Sequence, residues 1–351
     1  MAFGVYIHIP FCATRCDYCA FATWTDREHL FEAYAAACRR EIVAAELPAA
    51  SSVFFGGGTP SLLPAELLCS ILEVVPRRGD AEVTVECNPE SVRSESLRMY
   101  GEAGVNRLSF GAQSTAPHVL ASLGRSHRRG DLEAAVATAR SAGFTNFNID
   151  LIFGGAGESG DDWRASLDDV LALSPPHVSA YALTVEPGTP LALDPARHPD
   201  DDDQADKYAL ADTVLEAAGL PNYEISNWAR PGHECRHNLL YWRQGDYRGI
   251  GCAAHSHSSG RRWWNLRTPE RYIAAIESGQ SPVAASEDLD EKTRALEGLQ
   301  LALRTSEGVP LDAVPDVPEL ADLVERNANR ARLTLDGRLL ANEVAVRLIA
   351  R

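Results

Sequence analysis

Positive charge is scarce in this chain. Its 33 lysines and arginines stand against 49 aspartates and glutamates, a net charge of −16 over 351 residues. A protein that neutralises a phosphate backbone needs a basic face, so nucleic acid is not an expected partner. Long apolar runs are missing too. The longest stretches without formal charge, residues 47–65 and 170–185, are broken by Gly56-Gly57-Gly58 with three prolines and by Pro175-Pro176. Neither supplies the ~20 apolar residues of a membrane-spanning helix. The first residues lack the basic segment and small-residue cleavage site of a secretory leader, so a cytoplasmic protein is expected. There is no low-complexity tract and no repeat beyond a strand–helix unit. What remains is ordinary globular usage, 45% hydrophobic and 23% charged, which argues against disorder and against a fibre. A chain of this length buries roughly three-quarters of its unfolded surface and needs no staples to hold a core.

Short β-rich runs alternate with helical patterns through the first two-thirds. Residues 5–9, 53–55, 82–87, 107–110, 146–153, 177–183 and a shorter run at 223–226 read as strands. Residues 27–46, 64–75, 94–103, 132–142, 163–173 and 205–218 read as helices. Three helices stop at an Ala-Gly pair, before Gly104, Gly143 and Gly219; glycine there takes the left-handed conformation that lets the chain turn back. Such alternation predicts right-handed βα units and a parallel sheet. Six or seven units fall short of the eight that close a barrel. The expected class is therefore α/β, a partial (β/α)6 barrel over residues 1–225, with its chemistry at the C-terminal ends of the strands. A smaller, mostly helical domain is expected over 226–351. It comprises a polar, aromatic-rich loop (227–264), helices at 269–278 and 291–303, a hairpin or wing at 332–338 and a short helix at 342–350. The acidic run 200–203 precedes a helix, where negative charge suits the N-terminus.

Eight cysteines would allow a disulfide framework, but in a long chain with a full-sized core, clustered thiols more often hold metal or do chemistry. Cys12-x3-Cys16-x2-Cys19 follows the first strand directly. Zinc ribbons pair two Cys-x2-Cys units and no second pair exists here; ferredoxin spacings bring four cysteines. Three thiolates can hold three irons of a [4Fe–4S] cube and leave the fourth open to a substrate or cofactor. A zinc site completed by His8 is the alternative. Cys38, Cys69 and Cys87 lie in apolar-periodic segments and read as small buried hydrophobes. Gly56 to Gly58 after a strand allow backbone to approach a ligand where a Cβ would clash. Glu86 and Asp150 close apolar β runs, where a carboxylate either accepts hydrogen bonds from a ligand or caps the next helix.

Tyr6-Ile7-His8-Ile9-Pro10-Phe11-Cys12 running into Cys16-Asp17-Tyr18-Cys19 resembles the radical S-adenosylmethionine (SAM) superfamily, and within it the oxygen-independent coproporphyrinogen oxidase-like branch. The resemblance continues through Phe55-Gly56-Gly57-Gly58-Thr59-Pro60, Glu86-Cys87-Asn88-Pro89, Arg107-Leu108-Ser109-Phe110-Gly111-Ala112-Gln113-Ser114, Gly124-Arg125-Ser126-His127, Asn148-Ile149-Asp150-Leu151-Ile152 and His237-Asn238-Leu239-Leu240-Tyr241-Trp242. It implies a [4Fe–4S] cluster on Cys12, Cys16 and Cys19 with SAM on its open iron. One electron from the reduced cluster cleaves SAM to a 5′-deoxyadenosyl radical, while the protein supplies orientation and a dry site. The resemblance also implies that Gly57, Gly58 and Thr59 pack against the methionine part of SAM. Glu86, Gln113, Arg125 and Asp150 would hold it, Arg125 through the bidentate pairing of guanidinium with carboxylate. Tyr6 and Tyr18 would flank the cluster and adenine, with a core aromatic as the alternative for Tyr6, and Ala182 would offer backbone to the adenine.

Departures narrow the branch. Enzymes that decarboxylate coproporphyrinogen III carry a fourth cysteine two residues after the third, where this chain has Phe21. They also carry a long N-terminal segment, where this chain has eleven residues before Cys12. Both departures, with the His237–Trp242 block, resemble the HemW-type haem chaperones, which bind haem as cargo and hand it to acceptor haemoproteins. Ala20 and the Gly154-Gly155-Ala156-Gly157 loop depart further, the second implying a slightly altered loop. The resemblance implies a chaperone without coproporphyrinogen oxidase activity and with at most residual SAM cleavage, so that no catalytic residue is assigned. A radical enzyme acting on a tetrapyrrole is the alternative. His237 is the expected haem contact or axial ligand, with Tyr241 and Trp242 stacking on the porphyrin or packing the domain junction. His255, His257, Cys235 and Cys252 are rival ligands. Expected partners are respiratory-chain subunits as acceptors, bacterioferritin-like donors and a second copy in a homodimer, with at most peripheral contact with a membrane.

Overall fold

A computed structural model describes residues 2–349. Six strands pair in sequence order and all parallel: β1 (Phe3–Ile9), β2 (Ala50–Gly57), β3 (Arg77–Cys87), β4 (Arg107–Gln113), β5 (Phe147–Phe153) and β6 (His177–Ala182). Helices α1 (Phe31–Ala44), α2 (Ala65–Glu73), α3 (Ser94–Ala103), α4 (Pro117–Ser122), α5 (Arg129–Ser141), α6 (Gly160–Ala172) and α7 (Asp201–Ala217) connect and flank them. Strands covered on both faces read as near-continuous apolar runs, and Val5, Ile7, Val53, Phe55, Leu108 and Ile149 are all fully buried. Gly104, Gly143 and Gly219 have φ of 97°, 91° and 79°, so the three Ala-Gly stops are the left-handed turns that the sequence predicts. Asp200 caps α7 by accepting from the Asp203 N–H, which places the acidic run at a helix N-terminus.

The six βα units form an open, partial barrel because other strands occupy both edges. Beyond β6 lie two short antiparallel strands, β7 (Asn222–Glu224) and β8 (Asn227–Ala229), so the run at 223–226 is half of a hairpin and not a seventh βα unit. On the other edge β9 (Asp246–Ile250) pairs parallel with β1, and β10 (His255–Ser258), β11 (Arg261–Asn265) and β12 (Val283–Asp288) follow antiparallel. Much of segment 227–264, expected as a loop, is therefore strand, together with α8 (Arg236–Trp242). β10 reads His-Ser-His-Ser and β11 Arg-Arg-Trp-Trp-Asn, so neither shows the apolar/polar alternation that marks a strand. A buried carboxylate ties this edge down: Glu41 on α1 accepts from the Gly251 N–H (3.0 Å), Asn265 Nδ2 (3.0 Å), Tyr272 OH (2.7 Å) and Arg248 (3.2 Å).

The remainder comprises α9 (Pro269–Glu277), α10 (Glu291–Ala302) and a three-stranded sheet of β13 (Val309–Pro310), β14 (Val324–Asn327) and β15 (Arg330–Leu333), followed by α11 (Leu335–Leu339) and α12 (Ala341–Ala345). The hairpin expected at 332–338 is shifted: β14 and β15 form it, and Thr334 then caps α11 by accepting from the Gly337 N–H. The helix expected at 342–350 is present only as the shorter α12, which ends at Ala345, and residue 350 lies outside the described residues. Leu303, Val309, Leu320, Val324, Ala331 and Val344 make a small apolar cluster of their own here. Among the described residues no helix is long and apolar enough to cross a membrane.

Candidate functional site

The loop after β1 carries the three clustered thiols, and its ends are clamped to each other. The Trp24 N–H donates to the Pro10 carbonyl (2.8 Å) and the Cys12 N–H to the Trp24 carbonyl (3.1 Å). The middle of the loop is fixed from outside, where Arg197 pairs with Asp17 at 2.8 Å and the Asp17 N–H donates to the Leu123 carbonyl. Cys12, Cys16 and Cys19 are all free and partly exposed at the mouth of the barrel. Cys38 and Cys87 are buried as expected, and Cys69 is half-buried.

The ends of β2 to β4 meet this loop. The Gly58 and Thr59 N–H groups donate to the Ile9 and Phe11 carbonyls, both at 2.8 Å. A Cβ on Gly58 would lie 2.6 Å from the Phe11 carbonyl and 3.0 Å from the Cys12 sulfur, so only glycine fits. The Thr59 hydroxyl is 3.8 Å from Cys12 Sγ. Arg125 reaches Cys16 Sγ at 3.6 Å and is held by Asn88 Oδ1 (2.9 Å) and the Gly111 carbonyl (2.8 Å). Its buried Nε has no partner among the described residues. Asn88 also donates to Thr59 Oγ1, which makes it the bridge between these two expected contacts. In the sequence its only signal is its place directly after β3.

Deeper in the mouth stand two carboxyls. Glu86 accepts from the Gly57 N–H at 3.2 Å; burial, then the charge of Asp150, raises its pKa from 4.5 to about 8. Asp150 accepts from Ser109 Oγ (2.9 Å) and Asn148 Nδ2 (2.7 Å), and burial raises its pKa against those hydrogen bonds. Neither carboxyl caps a helix. Gln113 ends β4 at φ 65°, a costly left-handed conformation for a residue with a Cβ. Its amide lies beside Gly111, where an added Cβ would come within 3.0 Å of Nε2. Tyr6 bonds His8 Nδ1 (3.1 Å) and lines the cavity described below, so it is not a core aromatic. Tyr18 packs with Val119, Leu123 and Leu183, and Ala182 is exposed at the end of β6. In the altered loop, the Gly154 N–H donates to Glu158 Oε2, and buried Lys207 donates to the Glu158 carbonyl.

These residues fit a cluster with SAM beside it. Three thiols share one loop, a glycine floor lies against one of the sulfurs, and a half-buried guanidinium beside another has an Nε without a partner among the described residues. His8 is not the fourth ligand of a zinc site, because Tyr6 occupies its Nδ1 and the Ala22 carbonyl its Nε2 (2.9 Å).

A cavity of about 680 Å³ opens beside the cysteine loop. Its lining includes Tyr6, Gly57, Glu86 and Phe21, the last 67% exposed, together with Tyr241, Tyr247, His255 and His257. His237 is not among the lining residues. It is 1% exposed, with Ser52 Oγ on Nδ1 (2.9 Å), Tyr241 OH on Nε2 (2.8 Å) and Phe54 stacked at 5.4 Å. Burial lowers its pKa to about 3. It anchors α8 and orients Tyr241, so ligating iron would require it to leave both partners. Trp242 faces away from the cavity, its indole on Glu224. Cys235 and Cys252 are buried.

A parallel sheet of this form with three cysteines after β1 defines a radical SAM protein, and the Radical SAM superfamily model matches residues 6–170. The structure of coproporphyrinogen III oxidase (HemN) from Escherichia coli, described as a radical SAM enzyme, shares the fold with a TM-score of 0.85, covering 98% of this chain and 89% of its own at 23% identity. The heme chaperone HemW of Mycobacterium tuberculosis is 43% identical over 99% of this chain and 95% of its own. That of Bacillus subtilis is 34% identical over 97% of each. The chain belongs to the HemW family of the radical SAM superfamily.

Proposed function

We propose that this protein is a cytoplasmic haem chaperone that binds haem and passes it to acceptor haemoproteins. The observation that carries the reading is the cavity of about 680 Å³ beside the cysteine loop, within the size range of ligand pockets. Aromatic rings wall it, and Phe21 stands where decarboxylating relatives carry a cysteine. Residues 1–225 hold the cluster and SAM, and 226–351 supply the facing wall. Cys12, Cys16 and Cys19 bind a [4Fe–4S] cluster. Gly57, Gly58 and Thr59 receive the methionine part of SAM, Arg125 and Gln113 its carboxylate end, Glu86 and Asp150 its donor groups, and Tyr6, Tyr18 and Ala182 the region of the adenine. When bound, the pair supplies one-electron chemistry; the chain orients it and shields it from water. Tyr241 contacts the haem, with His237 hydrogen-bonded to its hydroxyl, and Trp242 packs the domain junction. A homodimer and transient contact with respiratory-chain acceptors belong to the same reading.

The test is anaerobic titration of the reconstituted protein with haemin, followed by mixing with an apo-haemoprotein. One haem bound per chain, then transferred, is expected; failure to bind haem would overturn the reading. A radical enzyme acting on a tetrapyrrole is favoured by one observation, the Arg125 guanidinium, whose Nη1 reaches Cys16 Sγ while its Nε has no partner among the described residues. That reading predicts reductive SAM cleavage that is lost in Cys16→Ala.

A further inference from the structure

We propose that His255 is the axial ligand of the haem iron and that Arg267 takes a haem propionate. The inference rests on the haem-chaperone reading and assigns the contacts within its cavity.

Three histidines line the cavity. His8 has both ring nitrogens engaged by Tyr6 and the Ala22 carbonyl. His257 has Nδ1 on the Gly245 carbonyl (3.0 Å), and its Nε2 accepts from the Gly260 N–H (3.1 Å). His255, at the start of β10, has neither nitrogen hydrogen-bonded among the described residues, and it is exposed. Its ring stacks on Trp264, its cross-strand partner in the β10–β11 register, at 5.6 Å and 23°. The plane is thus fixed without use of a nitrogen. Partial burial and the Arg262 cation hold its pKa below the ordinary value, which keeps the imidazole in the neutral, ligating form.

The charges of the lining point the same way. Arg262 is already paired with Glu287 (2.8 Å) and Glu297 (3.0 Å). Arg267 lines the same cavity and has no ion-pair partner among the described residues. A free guanidinium pairs bidentately with a carboxylate. Phe21 and Leu301 add apolar surface. A ligand with an apolar plane, a metal centre and peripheral carboxylates satisfies all of these groups at once. A single exposed ligand with no second-shell hydrogen bond also suits a cargo that must leave, since such bonds strengthen a ligating histidine.

The test uses the full-length reconstituted protein with haemin, and with haemin dimethyl ester, which lacks free propionates. His255→Ala should shift the Soret band and the EPR spin state and weaken haemin about tenfold, and added imidazole should restore the spectrum. His257→Ala should keep the wild-type spectrum. Arg267→Gln should weaken haemin about fivefold and leave the ester unaffected. An unchanged spectrum in His255→Ala, or equal losses of haemin and ester in Arg267→Gln, would overturn the proposal while the chaperone reading stands. A wild-type protein that binds neither compound would overturn that reading and the proposal with it.

Discussion

Glu86→Gln should stabilise the protein in the absence of SAM, and increasingly so as pH rises. The carboxyl stands in the barrel mouth, and among the described residues its one hydrogen bond is from the Gly57 N–H to Oε2. Burial, and secondly the charge of Asp150, raises its pKa from 4.5 to about 8. In the unfolded chain the proton leaves near 4.5, whereas the folded protein keeps it to about 8. Between those values the folded state binds more protons, so its stability falls as pH rises. A difference of 8 − 4.5 units, at about 1.36 kcal/mol per unit, sets an upper limit of about 5 kcal/mol. The carboxyl lines an open cavity and solvent reaches one side, so about 2–3 kcal/mol is the expected share. Glutamine never ionises and still offers an oxygen to Gly57. Urea unfolding from about pH 5 to 8.5 should therefore show the wild type losing that amount relative to Glu86→Gln. The same substitution should weaken SAM binding, because the neutral amide cannot answer a ligand ammonium. A stability difference that is flat across this pH range would refute the argument.

Gly57 has φ 110°, and a Cβ there would lie 2.3 Å from His8 Nδ1, whereas at Gly79 nothing stands within 4 Å. Gly57→Ala should cost about 2–4 kcal/mol and Gly79→Ala less than about 0.5 kcal/mol, as read from urea midpoints. Arg338 binds Asp212 through two hydrogen bonds of 2.8 and 2.5 Å, and the pair is 14% and 10% exposed. Arg338→Ala should cost about 3–5 kcal/mol by leaving a buried carboxylate without its counter-charge and with only the Trp228 indole N–H as a donor among the described residues, and limited proteolysis should then cut the C-terminal segment first. Cys16→Ala should abolish iron incorporation on reconstitution, and Cys69→Ala should retain it, both measured as iron per chain.

The parts of the fold carried by local signals were legible in the sequence. Apolar strand cores such as those around Val53 and Ile149, with the Ala-Gly stops, lie within a few residues of the elements they define. So do the cysteine spacing and the Gly57-Gly58-Thr59 turn that seats against it. The edge strands β9 to β12 were not legible, because their support is distant: β9 pairs with β1, and Glu41 on α1 collects hydrogen bonds from Gly251, Asn265 and Tyr272. His237 shows the same limit. Its motif marked it, but only the fold reveals Ser52 and Phe54 against its ring. The free nitrogens of His255 depend on what its neighbours leave unbonded, and no spacing encodes that.

The most direct test is a single anaerobic preparation with its cluster reconstituted, given haemin in one portion and coproporphyrinogen III, SAM and reductant in another, beside an active decarboxylase. The account predicts one haem bound per chain and no protoporphyrinogen IX formed. Conversion of coproporphyrinogen III to protoporphyrinogen IX, with no haem bound, would contradict it.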